Sequence, residues 1–216
     1  MHIPDGFIST GTSVVTWVAS AGGLSYAVRR VNQELNERQV PLLGVTAAFI
    51  FAAQMMNFTV VGGTSGHLLG GALAAILLGP WAGMLVLTSV LAVQALLFQD
   101  GGLLALGANI LNMAIVGVLV GWVVYSGLKR LLGNRAWATM ASGFAAAWLS
   151  VEIAALVAAL ELAISGTLAW QVSLPAMGSV HALIGIGEGL ITVGILAFLR
   201  ATRPDLLAVH KATSQA

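Results

Sequence analysis

The second residue of the chain is a histidine, followed by Ile-Pro-Asp-Gly-Phe. A free terminal amine beside a histidine forms a natural chelate. The Met1 amine and the His2 amide nitrogen close a five-membered ring on a metal. The same amide nitrogen and the imidazole Nδ1 close a six-membered ring. These three nitrogens share a plane once the metal displaces the amide proton. Ni(II) and Cu(II) do this well, Co(II) does it in favourable sites, and square-planar nitrogen ligation points away from Zn, Mg and Ca. One further imidazole would complete the set. Pro4 and the Asp5-Gly6 turn can fold the short arm back onto the rest of the protein. The plainer reading is that His2 is a polar tail residue.

A second imidazole stands in the stretch NFTVVGGTSGHLLGG, which runs from Asn57 to Gly71 and contains His67. Its glycines let backbone approach backbone closely. The stretch lacks the lysine of a phosphate-binding G-x-x-x-x-G-K-[ST] loop, so a nucleotide site is a weak reading. His67 is either the fourth nitrogen or a helix-capping side chain. The stretch FQDGG at 98–102 reads as a turn. Its Gln99 and Asp100 are also candidates to orient a ligand histidine, as metal-bound imidazoles require. Asp5, Asn57, Asn109 and His181 are further candidates for that orienting role. Asn112 lies three residues from Asn109 on one helical face, where the pair can instead bridge helices. His181 and Glu188 share another helical face. Glu152, Glu161 and Glu188 have no cationic partner inside any apolar stretch. Some are expected to be protonated, or to bond to Asn, Ser or backbone, with a proton relay as the alternative. His210 reads as a solvated tail residue.

The elements that carry these residues are apolar. Of 216 residues, 58% are hydrophobic and 8% charged, and the mean hydropathy is +0.95. A soluble domain devotes about a quarter of its residues to charge. The composition therefore predicts an all-α integral membrane protein with no separate soluble domain. Seven apolar stretches are expected, near 9–28, 41–58, 67–79, 81–98, 103–128, 138–164 and 179–200. The third is short and Gly-rich and reads as a half-span or a tilted one. All nine Lys and Arg fall in the intervals after stretches one, five and seven. By the positive-inside rule this predicts a seven-transmembrane-helix bundle with its N-terminus outside and its C-terminus cytoplasmic. The expected divisions are an extracytoplasmic metal-binding arm at 1–8, a transmembrane domain at 9–200 and a cytoplasmic tail at 201–216. The start shows no basic n-region of a cleavable targeting signal. The chain has no cysteine, which excludes disulfides and thiolate metal sites, and its net charge of +1 implies no bulk affinity for nucleic acid. Ala19, Gly23 and Ala27 form a small-residue stripe, suited either to packing inside the bundle or to docking a partner.

Four motifs in order, MHIPDGF, GGTSGHLLGG, LLFQDGGLLALGANILNM and HALIGIGEGLIT, resemble the CbiM/NikM family. These are the substrate-capture (S) components of energy-coupling-factor (ECF) transporters for cobalt and nickel. The resemblance runs from Met1 to about residue 200. It implies that the metal is held by the Met1 amine, the His2 backbone nitrogen and imidazole, and His67. It also implies partners: a transmembrane coupling (T) subunit, two cytoplasmic ATPase subunits that hydrolyse ATP, and a small auxiliary membrane subunit. The bacterial or archaeal cytoplasmic membrane and a link to cobalamin biosynthesis follow from the same resemblance.

The expected function is a transporter subunit, not an enzyme, with Co2+ or Ni2+ as transported substrate and no permanently bound cofactor. Two rivals belong to other classes. A membrane-embedded metalloenzyme would want a ligand set such as H-E-x-x-H, and none is present. A capture subunit for an organic vitamin would want an outer pocket with aromatic and polar walls, and aromatics make up only 7% of the chain. The motifs do not separate cobalt from nickel.

Overall fold

The computed structural model describes residues 1–35, 39–60 and 64–207. After the N-terminal arm, helix α1 spans Thr10–Glu34, and its first turn is capped by Ser9, whose side chain accepts from the Thr12 amide. Helix α2 spans Val40–Gln54, with Pro41 at its start, where a missing N–H costs nothing. Two short strands follow, β1 at Asn57–Val60 and β2 at Thr64–His67, paired antiparallel with Asn57 opposite His67. Helical stretch α3 covers Gly71–Leu97. A short α4, Leu106–Asn109, runs through a π-helical segment, Ile110–Gly117, into α5, Val118–Leu132. Helices α6, Ala136–Ile164, and α7, Trp170–Thr202, complete the bundle, and a 3-10 turn follows at Pro204–Leu207.

Stretch α3 is not one rod. Gly79 leaves the helical region (φ 82, ψ 167) directly before Pro80. A Cβ placed on Gly83 would lie 3.2 Å from the backbone of Ala74 and Ala75. Residues nine apart on a straight helix are separated by about 13 Å, so the chain folds back at Gly79 and forms a helical hairpin. Its outer limb, 80–97, is about 27 Å long. Its inner limb, 71–78, reaches less than half that length. The extended residues 64–70 ahead of it supply the rest.

Four helical stretches among the described residues are long and apolar enough to cross a membrane: Gly71–Leu97, Leu106–Leu132, Ala136–Ile164 and Trp170–Thr202. The surface agrees with that use. Val15, Val18, Leu183, Leu190 and Ile164 all point outward, an apolar belt that water would not tolerate. The core is built from Ile50, Leu69, Leu87, Met113, Leu162 and Met177. Every described lysine and arginine lies on the far halves of the helices, away from His2, His67 and His181.

Three expectations need adjustment. The bundle is not purely α-helical, because the Gly-rich stretch between the second and third segments folds partly as the β1–β2 hairpin; four-residue strands are too short to read as alternation. Helix α7 begins at Trp170, well ahead of the expected 179, because Ser173, Gly178 and Ser179 mimic a loop, and Pro175 is accommodated in its second turn. The second segment ends at Gln54 and not at 58. The small-residue stripe divides. Ala27 is buried and Gly23 packs against Ile115 inside the bundle, whereas Ala19 faces outward. His210 and the end of the expected tail lie outside the described residues.

Candidate metal centre

The arm is docked into the bundle. Met1 and Ile3 are fully buried, and His2 is nearly so. Met1, His2, Ile3 and Asp5 are each anchored by hydrogen bonds. The Met1 amine donates to the Ser65 carbonyl oxygen, and Ser65 Oγ lies 3.3 Å away. The His2 amide also faces Ser65 Oγ at 3.3 Å. Asn109 holds Ile3 twice, accepting its N–H at 2.8 Å and donating to its carbonyl at 3.2 Å. Asp5 accepts the amides of Leu103, Leu104 and Ala105. Asp5 therefore holds the turn ahead of α4.

The histidine rings of the arm and of β2 meet. His2 and His67 stack with centroids 4.4 Å apart and an interplanar angle of 27°. Their hydrogen bonds decide which nitrogen is free. His2 Nε2 lies 3.1 Å from Gln94 Oε1, so Nε2 carries the proton and Nδ1 keeps its lone pair. That Nδ1 has no hydrogen-bond partner and faces Asp100 Oδ1 at 3.3 Å. Two acceptors at that distance are favourable only with a proton or a cation between them. His67 Nδ1 lies 2.7 Å from the Leu68 carbonyl, which only accepts, so Nε2 keeps its lone pair and is also unpartnered. The chelate derived from the sequence uses the first of these lone pairs, and a further imidazole nitrogen would complete its set.

Burial also sets the charge state. The Met1 amine falls from 8.0 to about 4, chiefly because burial disfavours its cation, with Asp100 opposing weakly. His2 falls to about 3, through burial first and the neighbouring amine second. Asp100 is raised by burial, while the amine and a hydrogen bond from Asn57 pull the other way. At neutral pH the site thus presents neutral nitrogens with a carboxyl beside them.

A cleft of about 270 Å³ opens over His2, lined by Asn57, Phe58, Ser65, Gln99 and Asp100 among others. Gln99 stands at its rim in a left-handed conformation (φ 55). His181 is buried on α7 with Nδ1 on the Met177 carbonyl. Asn112 donates to Glu161 at 2.6 Å, and Glu188 accepts the amides of Leu69 and Gly70 at 2.5 and 2.8 Å. These two carboxylates thus take the hydrogen-bonding roles expected of them. Among the described residues, no three His, Cys, Asp or Glu side chains are grouped to hold a metal. Any nitrogen site here depends on the terminal amine and backbone.

A family described as the cobalt uptake substrate-specific transmembrane region, CbiM, matches residues 2–206. The chain belongs to the CbiM family. A putative fused nickel transport protein, NikMN, from Archaeoglobus fulgidus is 44% identical over 209 residues, covering 96% of this CbiM-family chain and 68% of that protein. The cobalt transport protein CbiM of Geobacter sulfurreducens is 35% identical, covering 96% of this chain and 62% of its own length. A crystal structure of a truncated transition metal transporter superposes with a TM-score of 0.86 at 35% identity, over 93% of this chain and 99% of that one. Within the CbiM-family chain, reading the sequence missed two contributors to the site, Gln94 and Ser65. A lone glutamine in an apolar span was the available signal for Gln94. Ser65 carried none.

Proposed function

We propose that the chain is the metal-capturing membrane subunit of an ECF-type importer, and that its substrate is Co2+ or Ni2+ held by Met1, His2 and His67. The observation that carries this reading is the pair of buried, unpartnered lone pairs, His2 Nδ1 and His67 Nε2, on stacked rings beside a neutral terminal amine. The amine, the His2 amide nitrogen and Nδ1 form the tridentate part, and His67 supplies the fourth nitrogen. Gln94 and the Leu68 carbonyl hold the tautomers. Asp100 balances the charge of the bound cation. Four nitrogens in a plane suit nickel, and cobalt in a favourable site.

Seven membrane crossings follow if the extended segment 64–70 and the short limb 71–78 together make the third. The histidine end then faces outside and the basic end the cytoplasm. The chain's role is transport, not catalysis, and ATP hydrolysis falls to two cytoplasmic ATPase subunits acting through a transmembrane coupling subunit, with a small auxiliary subunit beside them. The test is calorimetric titration of the purified protein with Ni(II) and with Co(II), beside a variant carrying one alanine inserted after Met1. Tight one-to-one binding that the insertion abolishes is expected. Equal binding by both proteins refutes the terminal chelate.

A further inference from the structure

His181 is fully buried, and the capture site leaves it without a task. Its Nδ1 lies 2.8 Å from the Met177 carbonyl oxygen one turn earlier on α7. A carbonyl only accepts, so Nδ1 carries the proton and the lone pair is on Nε2. That nitrogen has no hydrogen-bond partner. Buried acceptors are rarely left in this state without a reason.

Its surroundings supply one. The chain carrying His67 runs down the face of α7 that holds residues 181, 184 and 188. Above, Gly66 is pressed against Val180 and Ile184, whose side chains would meet an added Cβ at 3.3 and 2.8 Å. Below, the Leu69 and Gly70 amides are bound by Glu188. His67 lies on this run between Gly66 and Leu69, so it is packed along the same helix that carries His181. Both imidazoles are buried, both are fixed by a backbone carbonyl through Nδ1, and both keep Nε2 unpartnered. His181 also lies within electrostatic reach of His67 and of the Met1 amine.

We propose that His181 is a second-stage ligand, taking the cation inward from the terminal chelate through His67, which serves both stages. The inference rests on the capture reading above. The step is a ligand exchange with no change in oxidation state. The bonds from the metal to the Met1 amine, the His2 amide nitrogen and His2 Nδ1 break. The amide nitrogen regains a proton from water, and the hydroxide so formed leaves to solvent. The bond to His67 Nε2 persists, a bond to His181 Nε2 forms, and water fills the vacated positions. The cation passes from a chelate with an anionic nitrogen to neutral imidazoles, which hold it less tightly. Import requires such a loosening.

The experiment uses His181→Asn and His181→Ala, each in the native chain and in the chain with alanine inserted after Met1. Asn keeps a donor for the Met177 carbonyl and lacks the Nε2 lone pair. With Ni(II) and Co(II) as probes, both variants of the native chain should bind within about threefold of the wild type, less than the ~10–100-fold typical when a ligand loses its orienting partner. The inserted chain should keep a weaker binding that His181→Asn removes. In cells carrying the chain with its partner subunits, nickel uptake should fall at least ~10-fold in both variants, on the same scale. Wild-type uptake by His181→Asn would assign His181 a structural role and overturn the proposal. So would residual binding in the inserted chain that ignores His181→Asn. Loss of tight binding in His181→Asn itself would make His181 a primary ligand and also overturn it. If the unmodified chain binds neither metal, the capture reading fails first, and that failure is distinct from the others.

Discussion

At the scale of single residues, the centre depends on which nitrogen of each ring carries a proton. Gln94 makes that choice for His2. Replacing it by leucine frees the ring to flip or change tautomer, and metal affinity should fall by about 10–100-fold. Calorimetric titration of Gln94→Leu reads this directly. The charge state adds a pH dependence with a definite sign. The amine and His2 are held at about 4 and about 3, below their ordinary 8.0 and 6.5. The undocked arm therefore binds more protons than the docked one. Docking is fully favoured above the ordinary value of the amine and is lost as pH falls through the folded values. The protection of the Ile3 amide, which Asn109 holds, should decline as pH drops from 8 to 5. A flat protection factor over that range contradicts the account. His2 was legible as a candidate because imidazole beside a terminal amine is local chemistry, and His67 was a candidate through the Gly-rich motif it sits in. Asp100 was a candidate, and it does lie against His2. Asp5 was one too, but three amides of the next element claim it. Gln94 and Ser65 were not legible, since their place at the site exists only once α3 and β2 are packed.

At the scale of elements, the unusual piece is the chain between β2 and the inner limb of α3. Its polar backbone runs extended along the bundle, with His67 and Leu69 fully buried. Gln54 donates to the Leu69 carbonyl at 2.7 Å, and Glu188 receives the Leu69 and Gly70 amides. Truncating Glu188 to alanine leaves two buried N–H groups bare, at about 1–3 kcal/mol each. Glu188→Ala should therefore lower the thermal unfolding temperature in detergent and weaken metal binding through a displaced His67, whereas Glu188→Gln, which keeps one acceptor, should lose less. Gly70 begins the inner limb at φ 78 against Ile50, so Gly70→Ala should cost at least ~1–2 kcal/mol from the left-handed backbone alone. The sequence showed the short Gly-rich third segment and the break at Pro80. It did not show the β-hairpin or the early start of α7, because glycine and serine read as loop wherever tertiary contacts rather than local preference decide the backbone.

At the scale of the molecule, the described cations and imidazoles are segregated to opposite ends. That segregation was legible because it depends on where the cations fall among the apolar stretches, and the separate stretches at 67–79 and 81–98 anticipated the folding back at Gly79. The absence of cysteine from the chain makes sidedness simple to test. A lone cysteine at Phe58 should react with a membrane-impermeant maleimide in intact cells, and one at Asn134 only after permeabilisation. The opposite pattern reverses the orientation. The bonds from Gln54 and Glu188 to residues 69 and 70 have a kinetic meaning as well. A slip of one residue in either direction would break all three together, so the segment bearing His67 is locked in register with the core. On the proposed capture reading, the docked arm is the half of the site whose lifting would release a cation. Dwell time on the protein is then governed by how often residues 1–5 lift. A variant that loosens their anchors at Asn109 and Asp5 should load and unload faster by similar factors, trading residence for turnover while leaving the equilibrium nearly where it was.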